Sequence, residues 1–154
     1  MPETIISDTS CFIILANIGE LDILQKVYGS VVTTTEVRRE FGSDLPAWVK
    51  IKDPSDKSRQ KLLELHVDRG EASAISLAIE TPNSTIILDD QKARKVAERL
   101  GIEYTGTVGV IIKAKIRQII PSIIPFLDKL KAMDFRLSKE IEDQALDQAG
   151  ENRR

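Results

Sequence analysis

The chain has 154 residues, of which 42% are hydrophobic, and this length suits one domain with its own apolar core. The formal net charge is only -2, so total charge does not indicate a nucleic-acid binder, and any basic surface must be local. A single cysteine, Cys11, and a single histidine, His66, exclude an internal disulfide and a zinc site built from such side chains. The sequence shows neither an apolar run of the roughly 20 residues that a bilayer span needs nor an export pattern, so we expect a cytoplasmic protein with no membrane partner.

Apolar runs that alternate with helix-forming segments define the predicted elements. Strands are predicted, in chain order, at residues 4–8, 31–34, 85–88 and 102–104, with a short edge strand near residues 49–51. Helices are predicted at residues 11–18, 21–28, 35–41, 59–65, 70–79, 91–100 and 107–120, and two more begin at Pro121 and Ser138. Ser10, Thr33 and Ser138 are the predicted helix caps. Strands alternating with helices in this way indicate βαβ units and a parallel sheet.

The domain organisation follows from these elements. Residues 1–150 are expected to form one domain, in which the helices from about residue 121 offer apolar faces for core or dimer contact. Residues 42–58 contain several turn-forming residues and little periodicity, which predicts a loop-rich insert. Residues 151–154 are expected to be a frayed tail.

Four acidic residues stand where a predicted strand gives way to a predicted helix, namely Asp8, Glu36, Glu71 and Asp90. In an open parallel sheet such junctions meet at the carboxyl edge, so we expect the four carboxylates to lie together. Each acid alone has a simpler explanation as a helix cap or first-turn residue. Asp8, however, follows a strand that should be deeply buried, and no Lys or Arg occurs before Lys26. Clustered there, the acids would repel one another unless a cation held them.

Such a cation site predicts a particular chemistry. Carboxylate oxygens select hard ions, which indicates Mg²⁺ or Mn²⁺. An ion of this kind activates a water molecule and neutralises charge on a phosphate during in-line displacement. The sequence therefore favours metal-dependent hydrolysis of a phosphodiester.

A polyanionic substrate also needs cations near the acids. Residues 89–118 carry seven Lys or Arg and four Asp or Glu, a local excess of three positive charges. The candidate phosphate contacts are Arg38, Lys92 and Arg94. A solvated helix face is the commoner meaning of such charges. Thr9 and Ser10 are candidates to hydrogen-bond a phosphate oxygen or a water molecule, although capping of the first helix explains them equally well.

Five segments, in their order and spacing, resemble the PIN-domain family of metal-dependent single-strand ribonucleases, which includes VapC-type toxins of toxin–antitoxin modules. The segments are Ile6–Ser10, Thr35–Val37, Gly70–Ile75, Leu88–Arg94 and Tyr104–Val110. Their combination, rather than any one of them, carries the resemblance, which runs from about Ile5 to Ile116.

The resemblance implies a three-layer α/β/α sandwich with a parallel sheet of four or five strands, often dimeric. It implies that the four acids named above hold Mg²⁺ or Mn²⁺. The supporting polar residues would be Thr9, Ser10 and Thr107. Because Thr107 is not followed by the further acid that some members carry, Asp89 is a candidate to share the metal. The implied partners are single-stranded RNA, a possible antitoxin protein and a second copy of the chain.

Three hypotheses of function remain at this point. The first is a Mg²⁺- or Mn²⁺-dependent endoribonuclease, with a toxin as one form of it. The second is a non-catalytic PIN-like module that binds nucleic acid or a protein partner and keeps its carboxylates only as caps. The third is a phosphatase with Asp8 as nucleophile, which is disfavoured because Ser10 stands where that chemistry needs a second acid.

Overall fold

The computed structural model describes residues 3–152. The strands in this part of the chain are β1 (Thr4–Ser7), β2 (Val31–Thr33), β3 (Val49–Ile51), β4 (Ser84–Ile87) and β5 (Glu103–Thr105). All of them are parallel and form one sheet in the order β3-β2-β1-β4-β5. Each strand corresponds to a predicted one, and β3 lies at the sheet edge as expected.

Helices connect the strands and continue after the last one. They are α1 (Thr9–Asn17), α2 (Ile23–Tyr28), α3 (Thr35–Phe41), α4 (Lys57–Leu63), α5 (Arg69–Glu80), α6 (Gln91–Arg99), α7 (Thr107–Ile116), α8 (Ile124–Ala132) and α9 (Lys139–Gln148). None of these helices within residues 3–152 is long and apolar enough to cross a lipid bilayer.

The sheet lies between two apolar layers. Consecutive strand residues face opposite sides of a sheet, so Ile5 and Ile6 of β1 enter different cores. Ile5 packs with α1, α2, α7, α8 and α9, whereas Ile6 packs with α5 and α6. Residues Gly70 to Ala78 of α5 are all buried, and most have small side chains that let the helix lie close to the sheet. The predicted three-layer α/β/α fold is confirmed.

The carboxyl edge of the sheet brings distant parts of the chain together. Ser7 of β1 pairs with Ile87 of β4, and the next residue, Asp8, donates its N–H to the Ile87 carbonyl at 3.2 Å. Leu88 in turn donates to the carbonyl of Thr105 at 2.8 Å. The residues that follow β1, β4 and β5 are therefore neighbours, because all three strands end at this edge.

Two predicted helix caps are wrong and one is confirmed. Asp8, not Ser10, is the N-cap residue of α1, and its side chain makes no capping hydrogen bond. Thr34 caps α3 by accepting from the Val37 N–H at 3.2 Å. Thr33 instead donates its hydroxyl to the Ser7 carbonyl at 2.7 Å, because a strand residue on a neighbouring element lies within reach. Ser138 caps α9 as predicted.

The C-terminal part of the chain differs from prediction in two places. The helix expected over residues 107–120 ends at Ile116, since Gln118 has φ 62, outside the right-handed helical region. Glu151 was expected in a frayed tail but is held by the Ile123 N–H at 2.8 Å and by Lys115 Nζ at 3.2 Å. Residues 153 and 154 of the expected tail lie outside the described residues.

Candidate functional site

Asp8 occupies the centre of the carboxyl edge. Its side chain is buried, and among the described residues Oδ1 has no hydrogen-bond partner. Burial raises the pKa of this carboxyl well above its ordinary value, and the negative charges of Glu71, Asp68 and Glu40 raise it further, against the lowering effect of the Thr9 N–H. Asp8 is thus a buried acid that lacks the partner an ionised carboxylate requires.

Glu71 and Asp68 lie at the start of α5 and cap it together. The Asp68 carboxylate accepts from the Glu71 N–H at 2.8 Å, and Glu71 Oε1 accepts from the Asp68 N–H at 3.1 Å. Burial, together with the charges of Asp68 and Asp90, raises the pKa of Glu71 to about 7 despite that backbone hydrogen bond. The capping role considered for Glu71 is real, and the residue also lies in an electrostatically unfavourable acidic environment.

Glu40 is, with Asp68, one of two acids of this group that sequence reasoning missed. It lies in the last turn of α3, where Oε1 accepts from Thr9 Oγ1 at 2.5 Å and Oε2 accepts from the Gly70 N–H at 3.2 Å. A Cβ atom on Gly70 would overlap the Glu40 carboxylate, so glycine at this position permits the approach. The available signal was its spacing, because Glu40 follows Glu36 by four residues on one helix face.

Glu36 has a different environment from Glu40. Its Oε1 lies 3.0 Å from Nη1 of Arg39, one turn along the same helix. Arg39 is the partner found for Glu36 among the described residues. The carboxylates that most raise the pKa of Asp8 are instead those of Glu71, Asp68 and Glu40. The structure therefore brings Glu40 to the acidic group more directly than it brings Glu36.

Asp90 and Asp89 follow β4 and have separate roles. Asp90 is the N-cap of α6 and accepts from the Ala93 N–H at 3.0 Å, while its charge helps to raise the pKa of Glu71. Asp89 accepts from the Thr107 N–H at 2.9 Å and from Thr107 Oγ1 at 2.6 Å. Asp89 is therefore tied to the start of α7, whereas Asp90 caps α6 and lies close enough to Glu71 to raise its pKa.

The other predicted contact residues divide into two groups. Thr9 and Thr107 are buried and hold acidic side chains, which agrees with a supporting role. Arg94 donates Nε–H to the Leu88 carbonyl at 2.7 Å, so part of its guanidinium serves the fold. Ser10 is half-buried, and the side chains at the sequence-predicted phosphate positions on α3 and α6 are exposed, namely those of Arg38 and Lys92.

The electrostatics favour a cation, but the acids do not yet enclose one. Within residues 3–152, no group of three or more His, Cys, Asp or Glu side chains is arranged to surround an ion. Glu40, Glu71 and Asp90 each direct at least one carboxylate oxygen to a backbone N–H. The donor set is nevertheless all oxygen, as Mg²⁺ and Mn²⁺ prefer, and Oδ1 of Asp8 is unpaired.

The acids described above lie at or near the carboxyl edge of a parallel α/β/α sandwich. A family model described as a PIN domain matches residues 4–151, so the chain belongs to the PIN-domain family. The resemblance expected from the five segments is thereby confirmed. PIN domains are generally nucleases that use divalent metal ions, and membership suggests that the chain binds nucleic acid. No curated protein matches the sequence.

Proposed function

We propose that the protein is a Mg²⁺- or Mn²⁺-dependent endoribonuclease that cuts single-stranded RNA at the carboxyl edge of the sheet. The observation that carries this proposal is Asp8, a buried acid whose Oδ1 has no hydrogen-bond partner among the described residues and which lies near the negative charges of Glu71, Asp68 and Glu40. A protein gains nothing in stability from such an arrangement, because an isolated buried carboxylate is costly. The arrangement is explained if a divalent cation binds there.

The residues proposed to hold the ion are Asp8, Glu40, Glu71 and Asp90, with Asp68 beside them. In this proposal Glu40 takes the place that the sequence predicted for Glu36, because Glu40 accepts a hydrogen bond from Thr9, the residue that follows Asp8. Glu71 accepts from the Asp68 N–H through Oε1, so its other carboxylate oxygen could contact an ion without loss of that capping bond. A cation there would offset the burial and the charges of Asp68 and Asp90, which together raise the pKa of Glu71.

A bound divalent ion supplies an activated water and neutralises charge that develops on the phosphate. The chain's own residues position these partners. Thr9 holds Glu40 and Thr107 holds Asp89, so each carboxylate has one preferred orientation. Arg38 and Lys92 are exposed and cationic, which suits contact with phosphates on either side of the scissile bond. Buried supports and exposed cations thus have separate tasks.

The test is cleavage of a fluorescently labelled single-stranded RNA with Mn²⁺ by the wild-type chain and by Asp8→Asn. The substitution keeps the shape of the side chain and removes its charge. We expect the cleavage rate to fall about 100-fold or more, the scale on which loss of transition-state charge stabilisation acts. An Asp8→Asn protein that cuts at the wild-type rate would refute the assignment.

A second function is favoured by a specific observation. Glu71 and Asp90 satisfy backbone N–H groups as helix caps, and no described group of acids surrounds an ion as it stands. These contacts are those of a non-catalytic PIN module that binds RNA or a protein. Such a module would show no cleavage with Mn²⁺ but would retain RNA at low salt, with affinity that falls as salt rises.

A toxin role, an antitoxin partner and a homodimer remain predictions that accompany the nuclease proposal. Expression of the wild-type chain and of Asp8→Asn in growing cells tests the toxin role, because only the active form should arrest growth. Light scattering on the purified chain gives its mass in solution and tests the homodimer directly.

A further inference from the structure

A cavity of about 460 Å³ opens beside the acidic site, between the end of β5 and helices α7 and α9. Asp89 lines this cavity and directly precedes Asp90 after the end of β4, so the cavity adjoins the acidic site. The volume is in the range of sites that bind small organic groups. The acidic site does not use this space.

One wall of the cavity is a flat, fixed pair of side chains. The guanidinium of Arg94 lies over the ring of Tyr104, with Cζ 5.3 Å from the ring centroid. Arg94 donates Nε–H to the Leu88 carbonyl at 2.7 Å, and its Nη2 lies 3.9 Å from Oδ1 of Asp89. A Cβ on Gly106 would overlap the Arg94 guanidinium, so glycine there lets the pair sit at the cavity mouth.

The remaining walls are mixed in a way that suits a base joined to a phosphate. Val108 and Ile112 of α7 form an apolar side, and Phe135 and Arg136 come from the segment between α8 and α9. Arg136 makes no ion pair with a described residue, and its side chain is exposed. The cavity thus combines aromatic surface, apolar surface and an available cation.

We propose that this cavity binds one unpaired nucleobase of the RNA, stacked on the Arg94–Tyr104 pair, next to the phosphate that the acidic site receives. This inference rests on the proposed function. Stacking on aromatic and guanidinium faces is how proteins hold single-stranded nucleic acid, and it requires a base that is free of a duplex. The subsite therefore selects single strands and anchors the chain one nucleotide from the cleaved bond.

The experiment measures binding and cleavage separately. Binding of a labelled pentanucleotide RNA is measured without metal ion in the Asp8→Asn chain, where cleavage cannot interfere. Adding Tyr104→Ala should weaken binding about tenfold, and Tyr104→Phe, which keeps the ring, should restore most of the affinity. Circular dichroism melting verifies that each variant is folded.

A second arm changes the RNA and compares the parent chain with Tyr104→Ala. Each base of the pentanucleotide is replaced in turn by an abasic sugar, and the replacement should weaken binding strongly at one position. The RNA that is abasic at that position should bind the parent and Tyr104→Ala chains with equal affinity. Equal affinity of the Tyr104→Ala and parent chains, or equal losses for Tyr104→Ala and Tyr104→Phe, would overturn the stacking subsite.

The two proposals fail in different ways. If the wild-type chain cuts RNA with Mn²⁺ while Tyr104→Ala changes neither affinity nor the pattern of products, the subsite is refuted and the nuclease stands. If no cleavage occurs but binding depends on the Tyr104 ring, the nuclease is refuted and the stacking site stands as part of a binding module.

Discussion

The pKa values of acidic side chains are shifted in opposite directions in two regions of this molecule. At the carboxyl edge of the sheet, Asp8 and Glu71 face other carboxylates, and their pKa values are raised. Near the C-terminus, Glu151 accepts from Ser122 and from the Ile123 N–H and pairs with Lys115, and these contacts outweigh burial and lower its pKa. The C-terminal acid stabilises the fold as it stands.

The contrast separates a structural use of charge from a functional one. Glu142 of α9 likewise lies 2.6 Å from Lys131, so the C-terminal helices are fastened by complete ion pairs. The carboxyl edge has no comparable lysine or arginine on Asp8 among the described residues. Proteins keep an uncompensated acidic cluster where function requires it, and its cost in stability is offset elsewhere.

The largest expected effect comes from replacing each of the two glutamates of α3 by glutamine in separate variants. Glu40→Gln should reduce Mn²⁺-dependent RNA cleavage about 100-fold, because it removes one carboxylate proposed to hold the ion. Glu36→Gln is the matched control on the same helix and should change the rate less than about twofold, since it breaks only an exposed pair with Arg39. Single-turnover rates at saturating protein measure both.

Gly70→Ala gives an independent check on Glu40. The added methyl group would push away the end of a flexible side chain, which costs little stability but displaces the Glu40 carboxylate. A slow Glu40→Gln enzyme together with a fully active Gly70→Ala enzyme would show that the present position of Glu40 is not the working one. If Glu36→Gln proved the slower variant, the original sequence prediction would be right.

The next prediction concerns how the stability of the fold depends on pH and on Mn²⁺. The raised pKa of Glu71, about 7, means that the folded chain holds a proton that the unfolded chain, with a value near 4.5, releases. This contribution to stability is complete below about pH 4.5 and declines as pH rises toward 7. The proposed site would bind Mn²⁺ through ionised acids, so Mn²⁺ at 100 times its Kd should raise Tm by about 5 °C at pH 7.5 and by clearly less at pH 5.5.

Calorimetry of the Asp8→Asn chain isolates the source of that effect. Without metal at pH 7.5 its Tm should exceed that of the wild type, because the substitution removes a buried carboxyl whose ionisation is opposed by burial and by its negative neighbours. Added Mn²⁺ should then raise its Tm little. A lower Tm for metal-free Asp8→Asn would indicate that the acidic cluster contributes to folding and would remove the contrast between the two regions.

Local pattern was sufficient for the fold and for part of the site. Apolar runs bounded by helix starts predicted the inner strands β1, β2 and β4, because an inner strand of a parallel sheet is covered on both faces. The edge strands β3 and β5 are largely exposed and were predicted from weaker patterns. Asp8 and Asp90 were proposed as site residues because they stand at the ends of such runs. The strand order then places the ends of β1 and β4 side by side.

Glu40 was missed for a physical reason. Glu36 stands nearer the end of β2 and fits the strand-to-helix rule, whereas Glu40 reaches the acidic group through contacts with Thr9 and Gly70, which lie about 30 residues away on either side. Such contacts depend on how α3 packs against α1 and α5. The cap of α3 was displaced by one residue for a similar reason, since the Thr33 hydroxyl is taken by a neighbouring strand.

The smallest expected effect is a loss of stability in the C-terminal region, where the acids form ion pairs. Glu151→Gln should lower the free energy of unfolding by about 1 kcal/mol, measured by urea denaturation, because it weakens charge-assisted bonds to Lys115 and the Ile123 N–H. RNA cleavage should not change. Because the pKa of Glu151 is lowered, its contribution is present at neutral pH and fades as pH falls below about 4.5, the reverse of Glu71. Glu140→Gln, an exposed acid on α9, is the control and should cost less than half as much. Equal losses in the two variants would mean that Glu151 is no better paired than a surface carboxylate.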